Sequence, residues 1–165
     1  MAKDSTFDVV SEYDVSAMIN ACDQAQREIS TRYDFQGTNS KLVFDRDAKK
    51  IEIESNSELK IEAIIGVLES KFLKANLSLK FLDKSSEILE NNMISRKTIP
   101  LVQGLDQTKA KQITALIREK GMKVKTQIQG ESVRVSAAKK DDLQAVMEAL
   151  RSANFDFPIS FNNFR

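Results

Sequence analysis

The chain has 165 residues, of which 41% are hydrophobic and 30% are charged, and its formal net charge is +1. This composition predicts one ordinary globular domain or two small ones, with no bias towards disorder or a membrane. Because histidine is absent and Cys22 is the single cysteine, the sequence excludes an internal disulfide, zinc sites built from His and Cys, and Ser-His-Asp or Cys-His catalysis.

The N-terminal residues MAKDSTFDVV contain no apolar signal core, and apolar runs elsewhere are short. We therefore expect a cytoplasmic protein that makes no contact with a membrane. Charge is unevenly distributed: residues 1–83 contain 11 Lys and Arg against 15 Asp and Glu, and residues 84–165 contain 14 against 9. The resulting net charges of −4 and +5 favour an anionic partner for the second half.

The first half of the chain alternates strand and helix patterns. Strands are predicted at residues 7–12, 41–45, 50–54 and 77–82, and helices at 14–33 and about 57–75. Asp14 and Ser57 are suitable N-caps for the two helices. The polar residues 83–92 are interpreted as a connector to the second half.

The second half repeats this order. Strands are predicted at 93–102 and 157–163, a hairpin at 123–136, and helices at about 106–120 and 139–153. The order βαββαβ therefore occurs twice, and strand–helix–hairpin–helix–strand is the ferredoxin-like unit. We predict an α+β protein with two tandem ferredoxin-like domains and antiparallel sheets, the domains spanning residues 1–92 and 93–165.

Several long blocks of the sequence are similar to one family. They are FDVVSEYDVSAMINACDQAQREISTRYDF, IPLVQGLDQTKAKQITALIREKGMKVKTQIQGESVRV, KKDDLQAVMEAL and the ending PISFNNFR. From Phe7 to Arg165 the chain resembles the YajQ family of bacterial nucleotide-binding proteins. The resemblance implies that the first strands are exchanged, so that residues 7–12 complete the second sheet and residues 94–102 the first.

The resemblance also implies a function. Members of this family are described as binding nucleotides or nucleic acid, some are treated as cyclic di-GMP effectors, and the family has no established enzymatic activity. We therefore expect a protein without a cofactor whose partner is a nucleotide (cyclic di-GMP, GTP or ATP) or RNA.

The predicted hairpin has an apolar and a polar face. Lys123, Lys125, Gln127 and Arg134 share the polar face, which the helices of a ferredoxin-like unit leave open. Cations and amides on such a face suit phosphate and base-edge contacts. The alternative is an ordinary solvated face, because the hairpin lacks the aromatic rings that stack bases in RNA-recognition domains.

The C-terminal strand contains three rings. Phe157 and Phe161 share a face with Ile159 and are predicted to be core residues, whereas Phe164 falls on the opposite face, where it could stack a base. Asn163 and Arg165 could bind an anion, although a chain end usually frays.

A second candidate site is the stretch STRYDFQGTNSK, in which Arg32, Tyr33 and Phe35 leave a helix and enter a loop. One Arg and two rings suit a clamp for a base and a phosphate. The alternative interpretation is a helix C-terminus, with Arg32 near the last carbonyls and both rings packed under the loop.

The hairpin of the first half has a different polar face. Lys50, Glu52 and Glu54 predict an acidic surface, which repels phosphate and suits a basic partner surface instead.

The leading hypothesis is a non-catalytic binding protein for nucleotides or nucleic acid that uses the basic open sheet face. The alternative is a protein–protein adaptor in which nucleotide binding is regulatory or incidental. An enzyme is disfavoured, because the sequence has no histidine, no metal-site spacing and no paired acid and base. Cys22 lies on an apolar helical stripe with Ile19, Ala25 and Ile29 and is predicted to be a core residue rather than a nucleophile.

Overall fold

The structure is a computed structural model that describes residues 4–165. The strands are β1 Ser5–Val10, β2 Lys41–Asp45, β3 Lys50–Ser55, β4 Leu89–Asn91, β5 Ile94–Pro100, β6 Lys125–Gln129, β7 Ser132–Ala137 and β8 Ser160–Asn162. The helices are α1 Val15–Thr31, α2 Glu58–Lys74, α3 Gln107–Glu119 and α4 Lys140–Ser152, with short 3₁₀ helices at Tyr33–Phe35 and Leu79–Phe81.

The strands form two antiparallel four-stranded sheets, with the orders β6-β7-β1-β8 and β2-β3-β5-β4. The fold prediction of two tandem ferredoxin-like α+β arrangements is therefore confirmed. β1 pairs with β7 and β8, and β5 pairs with β3 and β4, so the first strand of each repeat lies in the sheet of the other repeat.

The chain folds into two compact units. The discontinuous unit combines residues 4–12 with 103–165, and the continuous unit contains residues 13–102. The domain limits predicted from the order of the repeats, 1–92 and 93–165, stay a prediction.

Helices α1, α2 and α3 begin where the sequence provides a side-chain acceptor. Asp14 Oδ1 accepts a hydrogen bond from the N–H of Ala17 at 3.1 Å, and Ser57 Oγ accepts one from Lys60 at 3.3 Å. Asp106 Oδ1 does the same for the N–H of Lys109 at 2.8 Å. Each bond satisfies a backbone donor that the first helical turn leaves without a partner, which is why the predicted helix starts agree with the observed ones.

Each unit buries its own core between one sheet face and two helices. In the discontinuous unit, β1 contributes Phe7 and Val9, and β7 contributes Val133 and Val135, all at 0% exposure. They pack against α3 and α4 through the apolar stripes of these helices: Ala110, Ile113 and Ile117 on α3, and Leu143, Val146, Met147 and Leu150 on α4. Phe157 is buried in the same core, as predicted.

One predicted strand is wrong. Residues 77–82 contain the 3₁₀ helix Leu79–Phe81, and the edge strand β4 lies instead in the predicted connector. The side chains of Leu77, Phe81 and Leu82 are buried, a pattern that fits a half-buried strand and a short helical turn equally well. β4 was missed because all three of its residues are exposed, so its sequence has no apolar alternation.

A buried lysine holds the connector in place. Lys97 of β5 is 7% exposed, and its Nζ donates to the backbone carbonyls of Lys84 and Ser86. Ser86 Oγ donates in return to the carbonyl of Thr98. These bonds satisfy a buried ammonium group with backbone acceptors, and they attach residues 84–86 to the sheet.

We predict that Phe7→Ala destabilises the discontinuous unit selectively. Its ring is fully buried, so its loss should lower the free energy of unfolding by about 3–5 kcal/mol. Hydrogen exchange should show amides of β7 and β8 losing protection while those of β3 retain it. Leu59→Ala is the control, because Leu59 is 78% exposed and its loss should change stability by less than about 0.5 kcal/mol. Loss of protection in β3 rather than β7 would contradict the pairing of β1.

Candidate functional site

The sheet of the discontinuous unit has one face that α3 and α4 cover and one that they do not. Cross-strand register assigns residues to the second face, because directly opposed residues share a face. Gln127, Arg134, Asp8 and Asn162 form one row across the four strands, and Lys125, Ser136 and Thr6 form the next row. We call these residues, together with Arg165, the open face.

Arg165 joins the open face through a bulge at the end of the chain. The regular register pairs Asp8 with Asn162, yet the backbone of Thr6 exchanges hydrogen bonds of 3.0 and 2.9 Å with that of Arg165. One extra residue is therefore inserted after β8, and Asn163 absorbs it with a left-handed φ of 55°. Asn tolerates this conformation better than other residues with a side chain.

The bulge corrects one prediction. Simple alternation placed Phe164 on the face opposite the core, but its ring stacks on that of buried Phe7, with centroids 6.1 Å apart and planes at 23°. Phe164 therefore lies on the helix side of the sheet, although it is still 61% exposed. Phe161 also contacts Phe7, edge to face, which agrees with its predicted place in the core.

A carboxylate lies within the basic open face. Asp8 is 8% exposed, and its Oδ1 accepts a hydrogen bond from Arg134 Nε at 3.0 Å. Its Oδ2 accepts one from Asn163 Nδ2, also at 3.0 Å. Sequence reasoning missed Asp8 because it is 126 residues from Arg134 along the chain. Asp8 could have been identified as a site residue only from the pairing of β1 with β7, which places it opposite Arg134.

The environment of Asp8 keeps it ionised. Burial by itself raises the pKa of this carboxyl, but hydrogen bonds from Arg134 and Asn163, together with the charges of Arg134 and Arg165, outweigh it and hold the pKa below its usual value. The pair also raises the pKa of Arg134, through its hydrogen bond with Asp8. The two groups are therefore charged throughout the physiological range.

The remaining cations of the predicted site lie at the edge of the sheet. Lys123 and Lys125 are exposed and line a groove of about 470 Å³ with Asp4, Ser136 and Ala138. In the described chain, neither lysine forms an ion pair within 4.0 Å of a carboxylate. Their charges are therefore available to an anion in this groove.

Arg32, Tyr33 and Phe35 lie in the continuous unit. Arg32 is engaged by two carboxylates, Asp34 at 2.8 Å and Glu28 at 3.1 Å. Phe35 is 3% exposed, whereas Tyr33 is 89% exposed. This arrangement agrees with the helix C-terminus interpretation for Arg32 and Phe35, and a ligand-binding role for the three residues stays a prediction.

The predicted acidic face of the continuous unit is wrong. Register places Lys41 of β2 and Arg96 of β5 on either side of Glu54, and Arg96 Nε lies 3.0 Å from Glu54 Oε1. Lys50 pairs with Glu52 at the same distance. The prediction considered the side chains of β3 alone and therefore overestimated the negative charge of the face, because the neighbouring strands contribute cations to it.

The structure also bears on catalysis. Cys22 is 4% exposed, and burial, with a smaller effect from the charge of Asp23, raises the pKa of its thiol to about 12. Its predicted place in the core is confirmed. Residues 4–165 contain no group of three His, Cys, Asp or Glu side chains that could hold a metal ion.

None of the helices in the described part of the chain is long and apolar enough to cross a bilayer.

We predict that Cys22 is unreactive in the folded protein. With a pKa of about 12, roughly one thiol in ten thousand is ionised at pH 8, and the thiolate is the reactive form. Ellman's reagent at pH 8 should give no colour with native protein and one equivalent of thiol in guanidinium chloride. Rapid reaction of the native protein would contradict the buried position.

We predict that Asp8→Asn destabilises the protein at neutral pH but not in acid. The lowered pKa of Asp8 means that its charge stabilises the fold above the unfolded-state pKa of about 3.9, and that this contribution disappears as pH falls through the folded value. Urea titration at pH 7 should show a loss of about 1–3 kcal/mol relative to the wild type. The difference should shrink towards pH 3. Asp34→Asn, in an exposed pair, is the control, and its effect should be much smaller. An equal loss at both pH values would assign the effect to packing rather than ionisation.

Comparison with known proteins agrees with the resemblance seen in the sequence. The model of the family described as "Nucleotide-binding protein YajQ-like" matches residues 5–165. A protein of Trichodesmium erythraeum named nucleotide-binding protein is 43% identical, with both chains covered in full. Proteins of the same description from Leptospira biflexa and Bacillus cereus are 42% and 40% identical, over the whole of this chain and at least 99% of theirs. This chain therefore belongs to the YajQ-like family of nucleotide-binding proteins.

Proposed function

We propose that this protein is a non-catalytic nucleotide- or nucleic-acid-binding protein that holds phosphate groups on the open face. The observation that carries the proposal is the charge of that face. Lys125, Arg134 and Arg165 supply three cationic side chains, and the one side-chain carboxylate of the face, Asp8, already accepts hydrogen bonds from Arg134 and Asn163. The names of the relatives, which describe binding proteins rather than enzymes, support the same function.

Asp8 orients Arg134 for such a role. Within the described chain, Arg134 makes its side-chain hydrogen bond through Nε, so the N–H groups of its two terminal nitrogens are available to a ligand. Paired N–H groups of a guanidinium match two oxygens of a phosphate. The guanidinium is also held in one position before binding, which reduces the entropy lost when a ligand arrives.

The other polar residues suit the rest of a nucleotide. The amide of Gln127 lies beside Arg134 and is exposed, so it can donate to and accept from a base edge or a ribose hydroxyl. Lys123 and Lys125 extend the positive surface into the edge groove. A ligand with more than one phosphate, such as cyclic di-GMP, GTP, ATP or single-stranded RNA, would contact the arginines of the open face and the lysines of the edge groove together. We place this activity in the cytoplasm, as an expectation from the sequence.

The proposal is tested by calorimetric titration of the purified protein with these four ligands at low and high salt. Lys125→Gln should weaken binding at low salt, and for RNA it should reduce the slope of log affinity against log salt by about 0.7. Arg134→Lys should weaken binding while it keeps a cation beside Asp8, so the fold is preserved. Arg96→Gln, on the mixed-charge face of the other sheet, is the matched control and should bind as the wild type does. Absence of salt-sensitive binding to all four ligands would reject the proposal.

A second candidate function is a protein–protein adaptor. A specific feature favours it: the β4–β5 hairpin exposes Leu89 at 67% and Met93 at 91%. Met93 also has a left-handed φ of 65°, a conformation that is costly for a residue of this type. A partner captured by the wild type and by Lys125→Gln, but not by Met93→Ser, would support this function independently of phosphate binding.

A further inference from the structure

A cleft of about 320 Å³ lies on the helix side of the same sheet, next to the C-terminal bulge. Its apolar lining consists of Phe164 together with Leu143 and Met147 of α4, which are 5% and 4% exposed. Lys140 and Gln144 add polar groups to the lining. Apolar side chains combined with a few polar groups are the usual lining of a small-molecule site.

Phe164 is both accessible and held in place. Its ring stacks on Phe7, whose own side chain is fully buried, and yet 61% of Phe164 remains exposed. The paired backbone hydrogen bonds between Thr6 and Arg165 fix the chain on one side of it. A ring that is supported on one side and exposed elsewhere can stack a planar ligand without first losing conformational freedom.

The open face lacks such a ring. None of the residues that define it is aromatic, so a nucleotide bound there through its phosphates has no stacking partner on that side of the sheet. Arg165 is part of both the cleft and the open face. It lines the cleft, and its backbone pairs with Thr6 in the second row of the open face. The cleft and the Asp8–Arg134 pair lie on opposite faces of this sheet, and β8, which leads into Phe164 and Arg165, is its edge strand.

We infer that this cleft binds the base of a nucleotide, with Phe164 as the stacking platform and Arg165 joining the base to the phosphates on the open face. This inference rests on the proposed function and adds the location of the base. The ligand class is a nucleotide whose phosphates reach across the edge of the sheet, and Lys140 supplies a further cation in the lining of the cleft.

The first test uses tryptophan fluorescence. The chain contains no tryptophan, so Phe164→Trp creates a single emitter at the proposed platform. ATP and GTP should quench it saturably, adenosine or guanosine should quench it at higher concentration, and inorganic triphosphate should leave it nearly unchanged. Leu73→Trp is the matched control, because Leu73 has nearly the same exposure, 64%, but lies in the continuous unit, and the emission of this variant should not respond.

The second test separates the base from the phosphates. Phe164→Ala should lower the affinity for ATP or GTP roughly tenfold, the typical effect of removing a base–aromatic stack, while leaving the affinity for inorganic triphosphate unchanged. Lys125→Gln should lower both affinities. Circular dichroism checks that Phe164→Ala is folded, which we expect because most of the ring is exposed.

The possible failures are distinguishable. Nucleotide binding by Phe164→Ala at wild-type affinity, or equal quenching of the Phe164→Trp and Leu73→Trp emitters, would overturn the base site and leave the phosphate face intact. If neither the nucleotides nor triphosphate bind the unmodified protein, the proposed function fails and the base site fails with it.

Discussion

The position of β1 between β7 and β8 is the constraint on which the discontinuous unit depends. One face of this strand gives Phe7 and Val9 to the core, and the other gives Asp8 to the open face. A central strand satisfies backbone hydrogen bonds on both sides, so its removal would leave two neighbouring strands unpaired and the core without Phe7 and Val9. The same six residues therefore support the stability of the unit and position its polar surface.

The ion pair of Asp8 and Arg134 shows how a charged group is kept on a partly buried sheet face. A carboxylate with so little exposure is costly unless it is paired and hydrogen-bonded, and here each oxygen accepts a hydrogen bond from a different side chain. The pair lowers the net charge of the open face, but it fixes the direction of the guanidinium. For recognition of a phosphate, a cation with a fixed orientation contributes specificity that a flexible lysine does not.

The two sheets have the same strand count and different surface chemistry. In the continuous unit, Glu54 pairs with Arg96 and Glu52 with Lys50, so cations and anions on that face neutralise each other. In the discontinuous unit, Lys125 and Arg165 lie at opposite ends of one row, and in the described chain neither has a carboxylate partner within ion-pair distance. The two repeats share a fold, but the face of the continuous unit has balanced charges and the open face of the discontinuous unit has an excess of positive charge. Of these two faces, only the open face therefore attracts an anion.

Local chemistry in the sequence was sufficient for much of this protein. Apolar periodicity and the N-caps Asp14, Ser57 and Asp106 determine the helices, because helix formation depends on neighbours within one or two turns. The alternation in the hairpin placed Lys125, Gln127 and Arg134 on one face for the same reason. The repeated order of elements then predicted the fold class.

What only the tertiary structure decided depends on residues far apart in the chain. Asp8 meets Arg134 across 126 positions, and Arg96 meets Glu54 because β5 lies beside β3. The bulge at Asn163 turned Phe164 towards the core side, since one extra residue reverses the alternation of a strand. The exposed strand β4 owes its conformation to pairing with β5 rather than to its own side chains. Strand pairing couples distant segments through backbone hydrogen bonds that carry no sequence signal, and so the electrostatics of both faces followed from topology rather than from composition.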